Sequence, residues 1–231
     1  MLDTLTSPPS SESETGKNRV LLLDSEQLTL AGLSCLLTTE ANYQIIGNAQ
    51  TGQDGLNLAL QVKPDLVLID TNLEGYSPYF VAEEIKRNIP ETKLVFFSRH
   101  FSDTVIERCL KIPCDAMVLK TEGKEVLLKA LDLVFQGKTY FSEELSSRID
   151  TESGERQVRF DSATPLSELT SRQLEVLHHL AKGNSVKEVA KIMHLSEKSI
   201  DSHKYRIMNR LGIHDRVKLS LYAVREGLIQ P

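Results

Sequence analysis

Leu169-Thr170-Ser171-Arg172-Gln173-Leu174-Glu175-Val176-Leu177 opens the stretch that decides the fold. It begins a helix with a capping hydroxyl and continues as an apolar stripe. Ser185-Val186-Lys187-Glu188-Val189-Ala190-Lys191-Ile192-Met193 follows as a short second helix. His194-Leu195-Ser196 turns the chain, and Ser196 caps a third helix running to Ile207. A short helix set against a longer one is the helix-turn-helix arrangement, which presents the longer helix to a DNA major groove. A last helix, about Asp215 to Glu226, completes an all-α unit.

The third helix divides into two faces. Ile200, Ile207 and Leu211 recur at helical spacing and are expected in the core. The opposite surface carries Lys198, Asp201, Ser202 and Tyr205, the candidates for base edges. Asp201 either accepts from a cytosine amino group or holds a neighbouring Lys or Arg. Lys187, Ser199, Lys204 and Arg206 are candidate phosphate clamps, which position a duplex without reading its sequence. His203 falls between the faces and is expected to be packed or bonded to backbone. Val217, Leu221 and Val224 in the last helix leave an apolar stripe for self-association, and two copies would match half-sites about one helical turn apart.

Working outward, charge is split. Residues 165–231 carry a net charge of +4 and the preceding chain −9. An acidic front and a basic back fit a regulatory part joined to a nucleic-acid-binding part. Residues 1–17, rich in Ser, Thr, Pro and Glu, are expected to be a disordered tail. Residues 138–164 are polar and are expected to be a linker, with a little helix after Phe141.

Between them, residues 18–137 alternate apolar strands with amphipathic helices. Val20–Leu23, Tyr43–Gly47, Leu66–Ile69, Lys93–Phe97 and Ala116–Leu119 are the strands. Five apolar strands, each followed by a helix, predict an α/β, doubly wound five-stranded parallel sheet. Ligands of such sheets sit at the carboxyl ends of the strands. Asp24, Asp70, Ser98 and Lys120 each follow a strand, so they meet on one edge. There Asp70 can attack a phosphoryl group, Ser98 and Lys120 can hold the anion, and Asp24 can help bind a divalent metal.

With those residues in place, the first domain resembles the receiver domain of two-component response regulators, a flavodoxin-like fold. The second resembles the LuxR-type output domain, through Leu169–Leu177, Gly183–Ala190, Leu195–His203 and Leu211–Arg216. Together they resemble the NarL/FixJ class. The resemblance implies a DNA-binding transcription regulator, a homodimer on double-stranded DNA, with a histidine kinase as partner. It makes Asp70 the phosphoacceptor. It implies Mg²⁺ held by Asp24, Asp70 and the Asn72 backbone carbonyl. The chain departs from the pattern at Ser25, where the family has a second acid, at Leu73-Glu74, where it has Met-Pro, and at Met117, where it has a switch aromatic. The missing acid implies a weak Mg²⁺ site. A phosphorylation-independent regulator, gated by dimerisation or a partner, is the alternative.

An enzyme with a flavodoxin-like ligand site is disfavoured. Asp24-Ser25-Glu26-Gln27 follows the first strand where a glycine-rich phosphate loop would be needed. Use of the helix-turn-helix to hold another protein is a further alternative. Cys35, Cys109 and Cys114 lack metal-ligand spacing, and no apolar run approaches the roughly 20 residues that span a membrane. These features point to a cytoplasmic protein. The receiver is expected to hide the recognition helix until it is released.

Overall fold

A computed structural model describes residues 16–150, 157–158 and 165–229. Most of the expected tail, and residues 151–156 and 159–164 of the expected linker, lie outside the described residues.

The first domain alternates β1 (Asn18–Leu23), α1 (Gln27–Thr38), β2 (Tyr43–Ala49), α2 (Gly52–Val62), β3 (Leu66–Ile69), α3 (Pro78–Asn88), β4 (Lys93–Ser98), α4 (Asp103–Lys111), β5 (Ala116–Leu119) and α5 (Lys124–Phe135). The strands pair in parallel in the order β2-β1-β3-β4-β5. The order reverses beside β1, which places a switch point at the ends of β1 and β3. Both faces are covered, and this explains the unbroken apolar strands. One layer buries Leu21, Ile69 and Phe96; the other buries Val20, Leu68 and Val118.

The five-strand expectation needs correction. A sixth strand, β6 (Tyr140–Phe141), joins β5 in parallel within the stretch read as linker. Its two aromatic residues are half-buried against the domain, a gain that polar composition averaged over the linker conceals. Ser142 fixes the exit from the sheet, with its N–H on the Met117 carbonyl and its hydroxyl on Glu122. The expected small helix follows as α6 (Glu143–Ser146), and β7 (Ile149–Asp150) pairs antiparallel with β8 (Gln157–Val158).

The second domain contains α7 (Ser171–Ala181), α8 (Val186–Ile192), α9 (Glu197–Leu211) and α10 (Arg216–Arg225), after a 3-10 turn at Pro165–Glu168. Reciprocal capping boxes open two of them, Thr170 with Gln173 on α7 and Ser185 with Glu188 on α8. His194, at φ 52°, reverses the chain between α8 and α9. Gly212, at φ 65°, ends α9 in the left-handed region that glycine adopts without strain. Ile200 and Ile207 enter a core with Val176, Leu177, Val189 and Leu219, while Leu211 is partly buried against it.

Candidate functional site

Two sites follow from this arrangement. The first is the acidic pocket at the carboxyl edge of the sheet. Asp24 and Asp70 end β1 and β3 and are almost fully buried, at 2% and 6% exposure. Lys120, one residue beyond β5, reaches both, with Nζ 2.6 Å from Asp24 Oδ2 and 2.7 Å from Asp70 Oδ2. The remaining oxygens are also served: Asp24 Oδ1 accepts the Glu26 N–H at 2.8 Å, and Asp70 Oδ1 accepts the Asn72 N–H at 3.2 Å. Burial pushes the Asp70 carboxyl above its ordinary range, against the pull of Lys120.

Ser98 is buried at the end of β4, on the same edge. Its hydroxyl is hydrogen-bonded to that of Thr71, beside Asp70, and donates to the His100 carbonyl. Thr71 therefore belongs to the pocket although the sequence reading passed over it; its only signal was adjacency to Asp70. Ser25 is more consequential. Its hydroxyl donates to the Asn72 carbonyl at 2.8 Å, the oxygen assigned to the metal. Glu26 does not substitute for the missing acid, because its carboxylate turns out to Arg99 at 2.8 Å. Among the described residues no group of three or more His, Cys, Asp or Glu side chains is arranged to hold a metal ion. Met117 is fully buried.

The second site is the outer face of α9. Lys198, Asp201, Ser202, Tyr205 and Arg206 line one open, shallow depression. Tyr205 is 67% exposed, although a tyrosine ring ordinarily buries much of its area. Lys187 projects from α8 and is exposed. Ser199 is partly buried; its N–H is held by the Ser196 cap and its hydroxyl shares a bond with the Ser196 hydroxyl. Lys204 Nζ lies 3.9 Å from Asp201 Oδ1, so Asp201 steadies a neighbouring cation. His203 is half-buried, its Nδ1 has no partner among the described residues, and burial lowers its pKa.

Among the described residues the receiver does not cover this face, contrary to expectation. It grips the output domain through α7 and the end of α8. Glu175 of α7, fully buried, accepts the N–H of Ser77 at 3.0 Å and also its hydroxyl. The Tyr76 hydroxyl donates to the Ile192 carbonyl at 3.1 Å, Lys182 Nζ to the Leu73 carbonyl at 3.1 Å, and the Ser171 hydroxyl to Glu83 at 2.7 Å. Burial opposes charge on Glu175, but the hydrogen bond from His179, the nearby imidazoles and Ser77 together hold its pKa below the usual value. The apolar stripe of α10 is only partly free: Val217 and Leu221 are 67% and 64% exposed, whereas Val224 packs on the domain's own core.

The response regulator receiver domain family matches residues 20–132, and the family of bacterial regulatory proteins of the luxR type matches residues 167–223. The chain is a response regulator of the NarL/FixJ class. The response regulator protein VraR of Staphylococcus saprophyticus is 26% identical over 92% of this chain and 99% of its own length. VraR of Staphylococcus epidermidis is 27% identical over the same shares. Among solved structures, the RcsB response regulator of Salmonella typhimurium matches with a TM-score of 0.65 at 20% identity, covering 91% of this chain and 98% of that one. An RcsB–DNA complex matches with a TM-score of 0.55 at 22% identity, over 89% of this chain and 97% of that one. At these identities the structural likeness establishes the shared fold. No helix among the described residues is long and apolar enough to cross a membrane.

Proposed function

We propose that this response regulator controls transcription by binding double-stranded DNA as a homodimer in the cytoplasm, without enzymatic activity of its own. Residues 18–137 together with the edge strand Tyr140–Phe141 serve as receiver, the chain from there to 164 as linker and 165–231 as output domain. The observation that carries the reading is the exposed face of α9, where Lys198, Asp201, Ser202, Tyr205 and Arg206 lie together with no described receiver residue among the walls. Lys198, Ser202 and Tyr205 address base edges, and Asp201 positions Lys204. Lys187, Ser199, Lys204 and Arg206 hold phosphates. The solved RcsB–DNA complex is consistent with this use of the fold. Val217 and Leu221 supply the exposed part of the dimer stripe, and Val224 supports it from within.

The first reading of the receiver is phosphoryl transfer from a histidine kinase to Asp70, with Lys120 and Ser98 on the incoming anion. Receivers of this family generally bind Mg²⁺ at this place. The donor set of Asp24, Asp70 and the Asn72 carbonyl does not fit that ion as it stands. Ser25 brings a hydroxyl bonded to that carbonyl in place of a carboxylate, and Lys120 already bridges both acids and offsets part of their charge. That geometry favours the second reading, control by dimerisation or a partner without phosphorylation.

A salt-dependent gel shift on genomic fragments tests DNA binding, because phosphate contacts weaken steeply with salt. Retention that is absent, or insensitive to salt, overturns it. Acetyl phosphate with and without Mg²⁺, read by intact mass on wild type and Asp70→Asn, decides between the two modes of control.

A further inference from the structure

A cavity of about 260 Å³ lies where the two domains meet, away from both sites above. Tyr79, Phe80 and Glu83 of α3, Thr104, Glu107, Arg108 and Lys111 of α4, and Leu169, Ser171 and Leu174 of the output domain are among its walls. Its volume sits just below the range of about 300–1,000 Å³ usual for ligand sites, so it suits only a small occupant.

The wall is unusual in its unmet polar groups. Arg108 is 8% exposed, yet Nη1 and Nη2 are closed to solvent and have no hydrogen-bond partner among the described residues. Tyr79 is similarly buried, and its hydroxyl also has no hydrogen-bond partner among the described residues. The Arg108 guanidinium rests over the Tyr79 ring, 4.8 Å from its centroid. A ring face attracts a cation but satisfies none of its N–H donors. Buried charges are ordinarily paired, because desolvation is costly otherwise. The carboxylates nearby are engaged elsewhere: Glu107 with Lys111 at 2.7 Å, Glu83 with the Ser171 hydroxyl, and Glu175 with Ser77. Among the described residues no carboxylate bonds the Arg108 guanidinium directly, although Glu175 and Glu83 lie close enough to favour its charge.

We propose that this interdomain cavity binds a small organic carboxylate, anchored by Arg108. The carboxylate takes the guanidinium bidentately once the head swings off the Tyr79 ring, and the Tyr79 hydroxyl donates a further bond. The apolar body of the ligand lies on Phe80, Leu169 and Leu174. Because α4 supplies the anchor and the output domain supplies part of the floor, the ligand holds the two domains in the arrangement seen here. It thereby provides a means of control that does not pass through Asp70.

The full chain is titrated with benzoate and, separately, with inorganic phosphate, at ionic strength fixed with NaCl. Binding is read by calorimetry and by the melting midpoint. We expect saturable benzoate binding that raises the midpoint, weakens at least tenfold in Arg108→Gln, and disappears in Leu174→Trp, which fills the cavity and leaves Arg108 in place. Should Arg108→Gln fail to fold, Leu174→Trp and benzoate-induced shifts of the Leu169 and Leu174 methyl resonances in the wild type decide the matter. Absence of saturation, equal affinity in either variant, or saturation by phosphate in preference to benzoate overturns the proposal. None of these outcomes depends on whether the protein retains DNA.

Discussion

Glu175 of the output domain accepts both the backbone N–H and the hydroxyl of Ser77, the residue that caps receiver helix α3. One buried carboxylate thus joins the two domains, alongside the Arg172 guanidinium over the Phe80 ring and the Tyr76 and Lys182 bonds. Ser77→Ala removes the hydroxyl from Glu175 and from the cap together. We expect a loss of about 1–2 kcal/mol of stability by urea denaturation. Glu175→Gln, which also loses the charge assistance, is expected to open the two domains, read as a larger radius of gyration in small-angle scattering. An unchanged radius in Glu175→Gln contradicts this role.

The output domain should lose stability with acid in a defined window. Burial pushes His178 down to about 3 from an ordinary 6.5, so the native state keeps it neutral. Between those values the unfolded chain binds the extra proton, and stability falls as pH falls, by at most about 1.4 kcal/mol per pH unit. The depressed Glu175 acts in the same direction, but only below about 4.5. His178→Gln should therefore flatten the dependence between pH 4.5 and 6.5 while leaving the steeper loss at lower pH. Parallel denaturation curves for wild type and variant across that interval contradict it.

Ser25→Asp exchanges a hydroxyl that occupies the Asn72 carbonyl for a third carboxylate. Mg²⁺ affinity, measured by calorimetry, should rise at least tenfold, and acetyl phosphate should label Asp70 faster. If neither changes, the weakness of the site lies in the Lys120 bridge rather than in Ser25.

On the recognition face, Lys198→Ala should weaken binding to DNA and lower the salt slope by about 0.9 if it meets a phosphate, or relax preference at one base pair with little change in slope if it meets a base. Tyr205→Ala should reduce affinity without altering the fold, because the ring is exposed. Full retention of affinity in both variants would remove α9 from the interface.

Leu221→Asp should abolish cooperative binding to paired half-sites, while single-site binding and the melting midpoint stay within experimental spread. Val224→Asp should unfold the domain instead, since Val224 packs on the core. Gel filtration and melting curves separate the two.

Much of this was written plainly in the sequence. The strands Leu66–Ile69 and Ala116–Leu119 lie where their unbroken apolar runs place them, because both faces of the sheet are covered. The pocket of Asp24, Asp70, Ser98 and Lys120 followed from strand ends alone. What was hidden depends on long-range packing. Tyr140–Phe141 was too short to declare a strand within polar surroundings. The bond from Ser25 to the Asn72 carbonyl joins residues on different strand ends, which no local pattern reveals. Burial of Val224 likewise depends on which side of α10 meets α7, and spacing leaves that undecided.

The two-residue strand Tyr140–Phe141 has a mechanical consequence. It stitches the departing chain to β5, with Ser142 bonded to Met117 before Lys120 and to Glu122 after it, and with its hydroxyl accepting the N–H of Leu119, the residue preceding Lys120. The leash to the output domain is therefore tied beside the lysine that bridges both acids, and a displacement of that lysine tugs on its anchorage directly.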